Sequence, residues 1–154
     1  MGMTQAMLDF WPGQLVKTSH YDDTCRQLAD RHYNRQTPGA PQFAGNGPKI
    51  VLRDTMGDVL WVWLNEQQPR WDRQTGYYCQ TFRNESARRS SLIILEAEQH
   101  AIDRWGPGRM FTYVDPAKIQ STNPGYCYLM AGWHSHGWSK KRHRRLLVKY
   151  DGCH

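Results

Sequence analysis

Apolar residues in this chain come in short runs separated by joints rich in glycine, proline and charge, and the spacing inside each run predicts its element. Residues 49–53 and 59–64 are apolar runs on either side of Asp54-Thr55-Met56-Gly57-Asp58, a glycine-bearing turn, which predicts a hairpin. The second run, Val59-Leu60-Trp61-Val62-Trp63-Leu64, never alternates with polar residues. A strand of that kind is covered on both faces and lies inside a sheet. Residues 76–82, with Tyr77, Tyr78 and Phe82, predict a further strand. After Arg83-Asn84-Glu85-Ser86, apolar positions recur at three- and four-residue spacing. This predicts a long helix ending near Trp105-Gly106-Pro107-Gly108, with Leu92, Leu95 and Ile102 on its apolar stripe beside Ile94, Ala97 and Ala101.

The flanks are less regular. Residues 22–33 predict a short helix, with acceptors from Asp22, Asp23 and Thr24 at its start and Leu28 and Ala29 on its apolar side. Residues 36–48 hold Pro38, Gly39, Pro41, Gly45, Gly47 and Pro48, and so read as a long loop, a kind of segment that often carries function. Residues 110–114 predict a short strand running into Asp115-Pro116, residues 117–120 a weak helical segment, and residues 144–150 a last strand. Hairpin strands alongside a strand–helix–strand crossover imply an α/β fold, a mixed sheet flanked by helices. No repeat or linker divides the chain, so residues 1–154 are expected to form one domain.

Composition narrows the function classes. No apolar run approaches the roughly 20 residues that cross a bilayer, and residues 1–6 show no basic start leading into an apolar stretch. No membrane partner is therefore expected, and the chain is expected to stay in the cytoplasm. Cys25, Cys79, Cys127 and Cys153 are scattered with no C-x-x-C pair. They read as free thiols, three buried and Cys153 on a tail, rather than as a zinc site. The formal net charge of +6 changes the picture most, since it favours a polyanionic partner.

Four places carry candidate chemistry. At the strand-to-helix junction, Arg88 and Arg89 stand where a helix start already has positive character. They read either as solvated side chains or, with the backbone N–H groups of the helix start, as partners of an anion docked there. In Arg31-His32-Tyr33-Asn34-Arg35, His32 reads either as a charge at a helix end or as a base or ligand facing the glycine/proline loop. Asp115, at the carboxyl end of an interior strand, lies where open α/β sheets place ligands, though an Asp before Pro also forms turns. Tyr126 reads as core packing or as a group reaching the same place. Finally, Lys140, Lys141, Arg142, Arg144 and Arg145, with Trp138 beside them for stacking, read as a polyanion contact or a solvated basic hairpin. The His134/His136 pair is a weak metal signal, with no acidic or Cys partner near it.

Two resemblances add to this. A Tyr-bearing segment running into Ala131-Gly132-Trp133 ahead of a closing hairpin resembles the GNAT acyltransferase superfamily. More narrowly, Arg31-His32-Tyr33, Phe82-Arg83-Asn84-Glu85, Val114-Asp115-Pro116 and Asn123-Pro124-Gly125-Tyr126-Cys127 together resemble a group of small phage proteins related to Mom, the adenine-modification protein of phage Mu. The resemblance implies a GNAT-like fold and a transferase that puts an acetamido (carbamoylmethyl) group on adenine in double-stranded DNA, shielding phage DNA from host restriction. It implies an iron held by His32, Tyr33, Asp115 and Tyr126, with Asp115, Tyr126, Ser90 and Arg83 in catalytic roles. Arg83, Arg88, Arg89, Ser90 and Ser91 would hold acetyl-CoA or another acyl donor. Arg35, Lys140, Lys141, Arg142, Arg144 and Arg145 would grip DNA phosphates. GNAT enzymes place glycines between strand and long helix to cradle a pyrophosphate, whereas residues 83–91 contain none. Two other functions fit the same residues: an acetyl-CoA-dependent N-acetyltransferase acting on a small amine or a modified base, and a non-catalytic DNA-binding phage protein.

Overall fold

The computed structural model describes residues 14–68, 70–118, 123, 125–139 and 143–150. β1 (Leu15–Thr18) is followed by α1 (Asp23–Asp30), then by β2 (Lys49–Asp54), β3 (Val59–Glu66) and β4 (Gly76–Asn84), and the four strands form an antiparallel meander. α2 (Ser90–Trp105) crosses over to β5 (Arg109–Val114), which lies parallel to β4. The short helix α3 (Tyr126–Met130) leads into the closing hairpin, β6 (His134–Trp138) and β7 (Arg145–Tyr150), with β7 inserted beside β5. The result is one mixed sheet of seven strands in the order β1-β2-β3-β4-β5-β7-β6, flanked by helices as expected. No helix among the described residues is long and apolar enough to cross a membrane.

The unbroken apolar run of β3 is explained by cover on both sides. Trp61 and Trp63 pack with Ile93, Ile94, Ala97 and Ala101 of α2. Leu60, Val62 and Leu64 point the other way, onto Cys25, Leu28 and Ala29 of α1 and Phe43 and Ala44 of the loop. Burying each such side chain stabilises the fold by about 1.5–3 kcal/mol. The β2–β3 turn closes because Asp54 Oδ1 accepts the N–H groups of Asp58 (2.7 Å) and Val59 (2.9 Å). Trp63 donates its indole N–H to the Ala97 carbonyl, and Trp133 donates to Glu98, which also pairs with Lys149. Glu98 is the buried acid of α2, satisfied from two sides.

Several expectations are corrected. The helix expected over residues 22–33 ends at Asp30, and residues 31–35 turn away from it. Leu92 and Leu95 do not lie on the buried stripe of α2; they are exposed, and Ile93 and Ile94 take the inward face. Three- and four-residue spacing leaves the phase free when apolar residues also occupy neighbouring positions, and the tryptophans of β3 decide it. Asp115 to Lys118 form a turn rather than the start of a helix, with Lys118 N–H bonded to the Asp115 carbonyl; residues 119 and 120 lie outside the described residues. The helical turn comes later, at α3. β1 is too short for its alternation to show in sequence, and it is held as an edge strand by pairing with β2.

β4 and β5 fix where the site lies. At their beginnings they are pinned. Tyr77 Oη donates to the Gly106 carbonyl at 2.7 Å, and Arg109 donates to the Thr75 carbonyl and to Gln74. Gly76 has φ +123, and a Cβ there would stand 2.2 Å from the Arg109 carbonyl oxygen, so only glycine permits this approach. Strand pairing nevertheless extends only over Tyr77↔Met110 and Tyr78↔Phe111. Beyond that point the two parallel strands diverge like the arms of a fork.

Candidate active site

A cavity of about 350 Å³ occupies the fork. β4 contributes Tyr78, Cys79, Gln80, Phe82 and Asn84, and β5 contributes Thr112, Tyr113 and Val114. At the apex Thr112 Oγ1 donates to the Cys79 carbonyl at 2.8 Å. Next to it lies a bulge: β3 pairs through Val62↔Thr81 and then Trp63↔Cys79, leaving Gln80 as the extra residue. The bulged residue is used as an anchor. Its carbonyl accepts from Asn34 Nδ2 (2.7 Å) and its side chain accepts the Gly45 N–H (2.9 Å), tying the segment after α1 to the cleft.

That tie brings His32, Tyr33 and Asn34 into one wall. The His32 and Tyr33 rings stack with centroids 4.5 Å apart, and Tyr33 Oη accepts the Asp115 N–H at 3.4 Å. The opposite wall is Gly125, Tyr126, Cys127 and Tyr128 at the start of α3. Gly125 has φ +86, and a Cβ there would meet Leu147 at 2.7 Å, so the tight entry into α3 requires glycine. Asn84 organises the rim: its Nδ2 donates to the Arg88 carbonyl and to Ser90 Oγ, while its Oδ1 accepts from the Ser86 N–H and hydroxyl. α2 therefore starts beside the cleft, at Arg89, with no side-chain cap.

The cleft is electrically plain. Among the described residues no Asp or Glu lines it, and Arg144 is its one Arg or Lys. Burial holds the His32 imidazole neutral, with its pKa lowered to about 4. Burial also raises the phenols of Tyr33, Tyr78 and Tyr113 and the Cys127 thiol, and lifts Cys79 to about 12. At neutral pH these groups are uncharged hydrogen-bond donors. Arg144 carries the exception further: its Nε is shut from solvent and has no hydrogen-bond partner among the described residues.

No family model matches the chain, and no curated protein matches it. Among solved structures it is similar to the GNAT domain of S. lividans PAT, with a TM-score of 0.61 over 92% of this chain and 92% of that one, at 13% identity. The fold is that of a GNAT domain.

The GNAT-like cleft gathers residues read from distant stretches of sequence. His32, Tyr33, Ser90 and Tyr126 all line it. Asp115 sits at the edge with only 9% exposure, and its Oδ1 is turned back to the Ala117 N–H at 3.0 Å. Arg83 is engaged on the outer side, donating to Glu85 and to the Arg31 carbonyl. Arg88 pairs with Glu96 at 2.8 Å, Arg89 is exposed, and Ser91 is buried. Arg35 is a structural clamp rather than a free cation: it pairs with Asp30 and donates to the Ala40 and Gln42 carbonyls, closing the loop. Arg145 donates to Ser135 and Asn123. Lys140, Lys141, Arg142 and Cys153 lie outside the described residues. His134 and His136 are exposed on the edge strand β6.

The donor groups do not fit the iron implied by resemblance. His32 Nδ1, Tyr33 Oη and Asp115 Oδ1 each already accept a backbone N–H. No group of three His, Cys, Asp or Glu side chains stands ready for a metal among the described residues. Sequence reasoning missed Asn34, Gln80 and Thr112 as builders of the cleft. Thr112, a polar residue inside an otherwise apolar strand, was the available signal.

Proposed function

We propose that this chain transfers an acyl-type group to the exocyclic amine of adenine in double-stranded DNA. The observation that carries the proposal is the lack of any carboxylate lining the cleft among the described residues, with His32 as its one imidazole. An alkyl amine arrives as an ammonium with a pKa of about 10, so it calls for a carboxylate to bind it and a base to deprotonate it. His32, lowered to about 4, is a poor base for that task. The amine of adenine is conjugated with its ring and arrives neutral, so it attacks without prior deprotonation. The walls suit a flat base too, since Tyr33, Tyr78, Phe82 and Tyr126 offer ring faces and edges. Extruding a base from the duplex costs a few kcal/mol. The formal net charge of +6 and Arg144 at the cleft favour the phosphates that offset this cost.

An acyl thioester such as acetyl-CoA would supply an activated carbonyl. Its anionic part would be held at the uncapped start of α2, by the free backbone N–H groups with Arg89 nearby. Because residues 83–91 hold no glycine, this cradle is a helix start and not a glycine loop. Thr112 ties β5 to β4 at the apex beside the Gln80 bulge, and donor and base would meet between the strands beyond that point. As the adenine nitrogen bonds to the carbonyl carbon and the carbon–sulfur bond breaks, the nitrogen sheds a proton to water. Tyr126, over half exposed at the mouth, gives its phenolic proton to the leaving sulfur and recovers one from solvent. Such a modification would protect DNA from restriction endonucleases, as the phage-type resemblance implies.

The test is mass spectrometry of nucleosides from DNA of cells expressing the chain. A deoxyadenosine heavier by one acetyl group is expected, whereas a carbamoylmethyl product, joined through CH2 and not through a carbonyl carbon, would rule out the thioester step. Unaltered deoxyadenosine in cells holding abundant folded protein overturns the proposal.

A further inference from the structure

A second depression lies at the opposite end of the sheet. β2 and β4 both run antiparallel to β3, so Lys49, which opens β2, stands at the end where β4 begins, away from the cleft. There a cavity of about 320 Å³ is lined by Lys17, Thr18, Ser19, His20, Lys49 and Arg104, above parts of β2. No carboxylate lines it among the described residues.

The charges here are unanswered. The side chains of Lys17, Lys49 and Arg104 take no hydrogen bond or ion pair among the described residues. On the α1 side, by contrast, Arg26, Arg31, Arg35 and Arg53 are each matched by a carboxylate. The nearby acids are turned elsewhere. Asp22 is held by Thr18 and Arg53, Glu96 by the Leu15 N–H and Arg88, and Asp103 by Gln99. Arg104 answers the negative end of α2, but neither Lys17 nor Lys49 has such a role. Three like charges around one hollow repel each other, and an anion among them reverses the sign of that interaction. Ser19 Oγ already accepts the Tyr21 N–H, which leaves its hydroxyl hydrogen for an acceptor in the hollow.

We propose that this depression is a phosphate-binding site, separate from the cleft, in which Arg104 and Ser19 donate to phosphate oxygens while Lys17 and Lys49 neutralise the charge. A free phosphorylated ligand and the backbone of a nucleic acid present the same group, and the experiment separates them. Isotope-labelled protein is followed by amide NMR while inorganic phosphate, and separately a short DNA duplex, is added. Phosphate is expected to move the signals of residues 17–20 and 49 to saturation. The triple variant Lys17→Gln/Lys49→Gln/Arg104→Gln is expected to lose at least about tenfold in affinity, the worth of one charge-assisted contact. Its substitutions are at the surface, so an unchanged melting temperature serves as the folding control. Movement of the same signals by the duplex assigns the site to nucleic acid, and movement by phosphate alone assigns it to a small phosphorylated ligand. Unmoved signals with both probes, or equal movement in the triple variant, overturn the proposal. Signals of Thr112 and Tyr126 report the cleft independently, so failure there leaves this result standing.

Discussion

Thr112 Oγ1 donates to the Cys79 carbonyl at 2.8 Å, one residue beyond the last backbone pair between β4 and β5. A side-chain hydroxyl thus replaces a ladder N–H at the point where sheet gives way to cleft. Both groups are buried, so removing the hydroxyl leaves a carbonyl with neither water nor partner. Thr112→Val keeps the shape and is expected to cost about 1–3 kcal/mol, while Thr112→Ser keeps most of the stability. Urea unfolding measures this, and identical midpoints for the three proteins would show that the bond is not needed.

The closed end of the fork makes a separate claim on stability. A Cβ at Gly76 would stand 2.2 Å from a backbone oxygen, whereas one at Gly39, also at positive φ, would meet nothing within 4 Å. Gly39→Ala therefore carries backbone strain alone, about 1 kcal/mol. Gly76→Ala adds a clash that only separation of β4 and β5 relieves, and it is expected to lower the melting temperature well below that of Gly39→Ala. Equal melting temperatures for the two variants contradict the close approach.

Acid should reveal His32. Its folded pKa of about 4 lies below its ordinary 6.5, so between these values the unfolded chain binds a proton that the folded chain refuses. Stability is then complete above pH 6.5 and falls as the pH drops towards 4. The full effect is at most roughly 3 kcal/mol. His100 is also lowered by burial, so the comparison that isolates His32 is wild type against His32→Asn across this range. The variant is expected to lose less stability on acidification, and parallel curves would refute a buried neutral His32.

Sequence made the sheet legible where burial is two-sided or alternation is long, as in the β2–β3 hairpin. It left the fork unread, because strand divergence depends on what fails to pair. Phe111 and Thr112 look alike as members of one strand, yet only the first is matched across to β4. His32 and Tyr126 stand out by chemical type and Tyr33 and Ser90 through the resemblance, and the fold brings all four to one cavity. Arginines were the least legible. Their charge is visible in sequence, but whether a carboxylate such as Asp30 or Glu96 consumes it is decided by the fold.

This distinction bears on DNA binding. Arg144 lines the cleft with its Nε unpartnered among the described residues, whereas Arg145 is held by Ser135 and Asn123. Arg144→Gln is expected to weaken duplex binding and to lower the slope of log affinity against log salt by about 0.9, the signature of one lost phosphate contact. Arg145→Gln is expected to change it less. A larger effect at Arg145 would move the DNA path away from the cleft.

Tyr126 gives the sharpest test of chemistry, because its neighbour Tyr128 supplies the control. Tyr126 is exposed at the mouth of the cleft, and its hydroxyl has the freedom to meet a leaving group. Tyr128 is buried, with its hydroxyl against Cys79 Sγ at 3.6 Å, and burial holds it protonated far into alkali. Tyr126→Phe is expected to leave stability and DNA affinity alone while lowering kcat by about a hundredfold or more, the usual worth of a positioned general acid. Tyr128→Phe is expected to do the reverse, costing stability through the core with a smaller change in kcat. A purely structural role for Tyr126 predicts no fall in kcat, and a role in gripping DNA predicts a rise in KM instead. Separate measurement of kcat and KM on duplex DNA, with melting curves for both variants, therefore decides whether this phenol takes part in the reaction.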